Sequence, residues 1–142
     1  HMDAFYTGLW TFWAAQSAST FYTGIGGRLR SNIARQNEVK PYAVVTQIDG
    51  LPEYFQDGDY DAVHYIELQL DIYSESNTEV LALSKKCTDL FDTATFSVTG
   101  WSLLDFEKFR EVLMPVEDGE DLDHPLHRYL LHYRATLQRN RV

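Results

Sequence analysis

Apolar and polar side chains alternate with a period of two from Ala62 to Tyr73. His64, Ile66, Leu68, Leu70 and Ile72 fall on one side, and Val63, Tyr65, Glu67, Gln69, Asp71 and Tyr73 on the other. This is the pattern of a half-buried strand, with one face on a core and the other wet or against a partner. The period then changes. Ser76-Asn-Thr-Glu79 has the form of a capping box, in which the serine hydroxyl accepts from an orphan backbone N–H and the glutamate reaches back. Behind it Val80, Leu83, Cys87, Leu90 and Phe91 recur at helical spacing. Burying such a stripe contributes roughly 1.5–3 kcal/mol per large side chain, so the helix should lie against the sheet.

The flanking segments extend this unit. Asp3 can cap a helix lined by Phe5, Leu9, Phe12 and Trp13, with Tyr6 and Trp10 widening the apolar face as candidates for a subunit contact. Gly8 is expected to weaken that helix by roughly 1 kcal/mol relative to alanine. Phe-Tyr-Thr-Gly occurs at Phe5 and again at Phe21, but nothing around the two copies matches, so no repeat is inferred. Gly24-Ile-Gly-Gly27 breaks the chain. No strand precedes it and no Gly-Lys-Ser/Thr follows, so a turn into a short strand around Arg28–Arg30 is expected, not a phosphate loop. Pro41 opens a second strand, Tyr42 to Asp49, which Gly50 and Pro52 end.

Leu51 to Asp61 carries Tyr54, Phe55 and Tyr60 among four carboxylates and is too long for a tight hairpin. It reads either as a solvated loop that tucks one aromatic into the core or as an arm that docks on a partner. Beyond the central helix, Gly100 precedes an extended stretch from Trp101 to Val116 whose alternation slips near Glu107-Lys108, as at a bulge or a break between two strands. An acidic turn, Glu117 to Asp123, leads into Leu126–Arg139, where Tyr129, Leu131, Tyr133, Ala135 and Leu137 share one face. These last two stretches read as a hairpin. The fold expected is α+β: a mainly antiparallel sheet of four to five strands, with an N-terminal helix and one central helix packed on it.

Composition narrows the function classes. At 142 residues the chain is expected to form one domain over residues 3–142, with His1-Met2 read as the remnant of a tag. Twelve basic against twenty-one acidic side chains leave a net charge of −9, which argues against gripping nucleic acid through its phosphates. The single cysteine, Cys87, cannot form an internal disulfide. No apolar run approaches the about 18 residues of a membrane span, and no signal-peptide pattern is present, so a soluble domain is expected.

Candidate chemistry is sparse. The acidic turn lacks the alternating Asp/Asn ligands and closing Glu of a calcium loop. His127 and His132 differ by an odd number of positions and so face opposite sides of a strand, which leaves no shared metal with His124. Cys87 lies beside Lys85 and Lys86, but its place on the apolar stripe makes it a core thiol. No Gly-x-Ser-x-Gly elbow, Cys-x-x-Cys pair or His-Glu-x-x-His is present. Neither an enzyme nor a cofactor is expected.

In its order of elements the chain resembles the tail-completion proteins of tailed bacteriophages, also called tail terminators or tail-to-head joining proteins, of which gene-transfer agents carry similar ones. The resemblance rests on the glycine–Arg28 strand, the Pro41-Tyr42 strand, the long loop, the Tyr65–Tyr73 strand and the Ser/Asn-Thr-Glu-capped helix. Trp101, Phe106, the acidic Asp-Gly turn and a closing strand with His127 and Tyr133-Arg134 complete it, from Phe5 to Arg139.

The resemblance implies a virion protein of the tail neck, assembled in the host cytoplasm as a ring, typically hexameric, on the head-proximal end of the tail tube. Such a ring stops tube polymerisation and docks the head's connector or head-completion protein. Its expected partners are further copies of itself, the tail tube protein and that head protein, with DNA only as passing cargo and no membrane. The candidate interface residues are Tyr54 and Phe55, on the long loop read as a docking arm, and Tyr65, Gln69 and Tyr73, where the wet face of the central strand mixes aromatic and polar groups. Glu117, Asp118, Glu120, Asp121 and Asp123 are the candidate acidic tip or lumen lining, where negative charge would limit sticking to DNA. The alternatives are another neck or assembly module, such as a head-closure or tube-chaperone protein, and a small enzyme or ligand-binding α+β domain with a concave pocket of perturbed titratable groups.

Overall fold

The alternation that starts near residue 62 is realised as β3 (Val63–Ser74), the middle strand of the sheet. In the computed structural model, residues 3–34, 38–48, 63–92, 94–114 and 126–140 are described. Their elements are α1 (Asp3–Ala14), α2 (Thr20–Gly24), β1 (Leu29–Ser31), β2 (Tyr42–Gln47), β3, α3 (Asn77–Phe91), β4 (Trp101–Met114) and β5 (His127–Arg139). The strands form one sheet in the order β1-β2-β3-β5-β4. β2–β3, β3–β5 and β5–β4 pair antiparallel, while the short β1 pairs with β2 in parallel. The fold is α+β, as the sequence leads one to expect.

Burial follows the alternation. Ile66, Leu68, Leu70 and Ile72 of β3 are buried, as are Leu131, Tyr133, Ala135 and Leu137 of β5, and both sets belong to one core cluster. α3 lays Val80, Leu83, Cys87 and Phe91 on that face. α1 adds Phe5, Leu9 and Trp13, so the helices share one side of the sheet. The centre of the core is aromatic: Phe106 stacks on Tyr133 at 5.3 Å, and Phe91 lies 5.8 Å from the same ring. Tyr6 and Trp10, candidates for a subunit contact, are partly buried against this core.

Two local devices differ from expectation. Ser76 caps α3, its hydroxyl accepting from the Glu79 N–H at 3.2 Å. The Glu79 carboxylate, however, accepts from the Ser74 hydroxyl, and that hydroxyl in turn accepts from the Ser76 N–H at 3.0 Å. Ser74 thus relays the second arm of the box, which ties the end of β3 to the start of α3. Gly8 is the other case. A Cβ there would stand 2.4 Å from the Ser97 carbonyl oxygen, so the residue that weakens α1 by propensity is what lets the helix approach the 94–98 segment.

The sequence does not announce α2, which Ser19 caps by accepting from the Tyr22 N–H and which buries Phe21. The slip near Glu107-Lys108 is real: β4 shifts register between Lys108 and Arg110, and a second time between Leu103 and Asp105. Among the described residues no helix is long and apolar enough to cross a membrane.

Candidate interaction surface on the sheet

The second face of the sheet carries no helix among the described residues, and its side chains cover one another instead. Asp71 is buried there although the alternation places it on the wet side. Its carboxylate accepts from Arg128 Nε at 3.0 Å and from Gln69 Nε2 at 2.8 Å, so the buried charge is both paired and hydrogen-bonded. Along the same strands Gln69 Oε1 lies 3.1 Å from His132 Nε2, and Arg134 meets Glu67 at 3.4 Å. Tyr73 stacks on Tyr42 with ring centroids 4.9 Å apart and also carries the Arg128 guanidinium. Burial, followed by the charge of Arg110, lowers the His132 pKa, which favours the neutral imidazole in this row of cations.

Of the candidate interface residues that are described, Tyr65 is the one presented to solvent, at 52% exposure. Gln69 and Tyr73 are half-buried and committed to the contacts above. Tyr54 and Phe55, and the acidic Glu117, Asp118, Glu120, Asp121 and Asp123, lie outside the described residues, as does His124.

Large apolar side chains are also exposed at the edges of the sheet. β4 forms one edge, and the residues skipped at its two register shifts, Leu104 and Phe109, are exposed at 55% and 43%. A bulge turns its extra residue out of the regular alternation, which accounts for both. Phe109 leans on the open face, 5.5 Å from the His132 ring and 5.2 Å from the Arg134 guanidinium. At the opposite edge, Ile33 follows β1 and Val39 precedes β2, exposed at 78% and 62%. Sequence reasoning passes over all four. The slip at Glu107-Lys108 signals Phe109, but the Leu103-Leu104 doublet hides the other shift.

Nucleophile and metal chemistry have little to build on here. Cys87 is buried 3.8 Å from the Tyr133 hydroxyl, and burial pushes its thiol up to about 12. Among the described residues no group of three or more His, Cys, Asp or Glu is placed to hold a metal ion. A small cavity under α1, bordered by Leu9, Leu68, Phe106 and Tyr133, is apolar.

No protein-family model matches this sequence, and no curated protein matches it. Among solved structures, the fold is similar to that of a chain described as "Virion of native gene transfer agent (GTA) particle". The TM-score is 0.69 at 11% identity, over 93% of this chain and 92% of that one. At that identity the likeness is one of fold, and it covers nearly all of both chains.

Proposed function

We propose that this chain is a structural virion protein of a tail neck. It forms a ring on the head-proximal end of the tail tube, ends tube polymerisation and mediates head–tail joining. The observation that carries this reading is the likeness of fold, over nearly all of both chains, to a chain of a gene transfer agent virion. The surface supports it, because the sheet presents an open polar face and two apolar edges, which suit protein contacts. In this reading Tyr54, Phe55 and Tyr65 contact the tube or the head protein, and the acidic 117–123 segment lines the path of the DNA.

The test is electron microscopy of the purified protein mixed with its candidate tail-tube protein, scored for capped ends and tube length. Rings on one end of tubes that stop growing support the proposal. Tubes that elongate unchanged, with the protein left free, overturn it in favour of a head-side neck component. Replacing Tyr54 and Phe55 with serine should impair joining while leaving the fold intact, and normal particles from that variant would remove those two residues from the contact.

A further inference from the structure

We infer that copies of this chain associate edge to edge, the β4 edge of one copy meeting the β1–β2 edge of the next. The inference rests on the ring reading above and specifies the surface on which the ring is built. It begins from the bulges. Natural edge strands are guarded against pairing by bulges, charges and prolines. β4 has both bulges and charges, but its bulges leave Leu104 exposed and Phe109 only part-covered by His132 and Arg134, which defeats a purely protective role. Large apolar side chains held at two irregularities of a fourteen-residue edge form a surface to be covered.

A second copy supplies the cover. The opposite edge of the same sheet exposes Ile33 and Val39, so each copy carries two different apolar edges facing opposite ways. The charges also match. The described residues from Arg28 to Lys40 include Arg28, Arg30 and Lys40 against Glu38, with Arg30 paired to Glu38 and Lys40 to Glu75, whereas β4 carries Asp105, Glu107 and Glu111 against Lys108 and Arg110. Lys108 and Glu111 pair with each other, while Asp105 and Glu107 have no ion-pair partner among the described residues. The directions match too. From the pairings along the sheet, β4 runs opposite to β1, so copies set side by side in the same orientation bring the two strands together antiparallel. Two unlike surfaces make a heterologous contact, which repeats from copy to copy and closes when the rotation allows. A twofold β4–β4 contact would stop at a dimer and leave Ile33 and Val39 uncovered.

Chains carrying Leu104→Cys and Ile33→Cys separately are mixed and treated with a short bismaleimide, the buried Cys87 being inert to it. The same mixture is then bound to tubes and treated again. A cross-link between the two unlike chains, and a ladder of multimers from a chain carrying both substitutions, are the expected results. Leu104→Glu, at an exposed position, should leave thermal unfolding unchanged and weaken self-association at least tenfold. Cross-links of Leu104→Cys only to itself overturn the inference. Capped tubes without the unlike-chain cross-link also overturn it, yet leave the ring reading standing. A chain that neither caps tubes nor associates with itself overturns both.

Discussion

The Asp71 carboxylate meets Arg128 Nε at 3.0 Å across the β3–β5 boundary, on the sheet face that carries no helix among the described residues. Asp71 is buried and only a quarter of the Arg128 side chain is exposed, so the pair is shielded on one side more than on the other. Removing the cation strands a buried charge, whereas removing the anion leaves an arginine that can still reach water. Arg128→Ala should therefore destabilise by about 2–3 kcal/mol, at or just below the range for a fully buried pair because Arg128 is part-exposed, and Asp71→Asn by less. Asp71→Asn with Arg128→Met should recover part of the loss. Urea denaturation of the four proteins gives the coupling energy, and additive single effects would show that the two residues do not act together.

Ser74 is predicted to matter to α3 although it stands outside the helix. Ser76→Ala should lose about 1 kcal/mol, the ordinary value for an N-cap. Ser74→Ala should lose about 1–2 kcal/mol, since one hydroxyl serves both the Glu79 carboxylate and the Ser76 N–H in a buried position. Thermal unfolding of the two variants and of their double decides it. A double no worse than Ser76→Ala would mean that the relay adds nothing to the cap.

The strand–helix unit from Val63 to Phe91 is legible in the sequence because each half buries one face, and burial imposes the period. β5 is legible for the same reason. The alternation also places Asp71 correctly on the second face, but it cannot report that Arg128, fifty-seven positions away, arrives beside it and takes it out of water. α2 spans five residues, too few for a helical period to show. The parallel partner of β1 is set by the path between Ser31 and Tyr42, which leaves no periodic mark. For the interaction surface, β3 pointed to Tyr65 but not to the exposed Leu104, because two adjacent leucines read as uninterrupted strand.

Gly8→Ala separates propensity from packing. On an isolated helix the substitution would stabilise by roughly 1 kcal/mol. Here the new methyl would meet the Ser97 backbone carbonyl at 2.4 Å, and that oxygen belongs to main chain, not to a side chain that can swing away. α1 or the 94–98 segment must shift, so a net loss of about 1–3 kcal/mol is expected. A rise in the midpoint of thermal unfolding would show that the segment yields freely and that α1 is less tightly seated than its buried Phe5 and Leu9 indicate.

Cys87 and Tyr133 should make the fold lose stability in alkali. Burial pushes the thiol from its ordinary 9.0 up to about 12, and burial together with the neighbouring thiol raises the Tyr133 phenol. Below pH 9 the thiol is protonated in both the folded and the unfolded chain, and its contribution is fully present and flat. Between about pH 9 and pH 12 the unfolded chain releases this proton while the folded chain keeps it. The folded state then binds more protons, and stability falls as pH rises, by up to about 1.4 kcal/mol per pH unit for one group. Tyr133 acts in the same direction from its own ordinary value of about 10 upward. Exposed tyrosines and lysines titrate in parent and variant alike, so the informative quantity is the difference between two slopes. Cys87→Ala will be less stable than the parent at pH 7, because it leaves a void beside Phe91 and Tyr133. Its urea midpoints from pH 8 to pH 10.5 should nevertheless fall less steeply, and Tyr133→Phe should remove a second part of the slope that begins higher. Parallel curves for parent and Cys87→Ala would mean that the thiol keeps an ordinary pKa, and therefore that water reaches the core between α3 and β5.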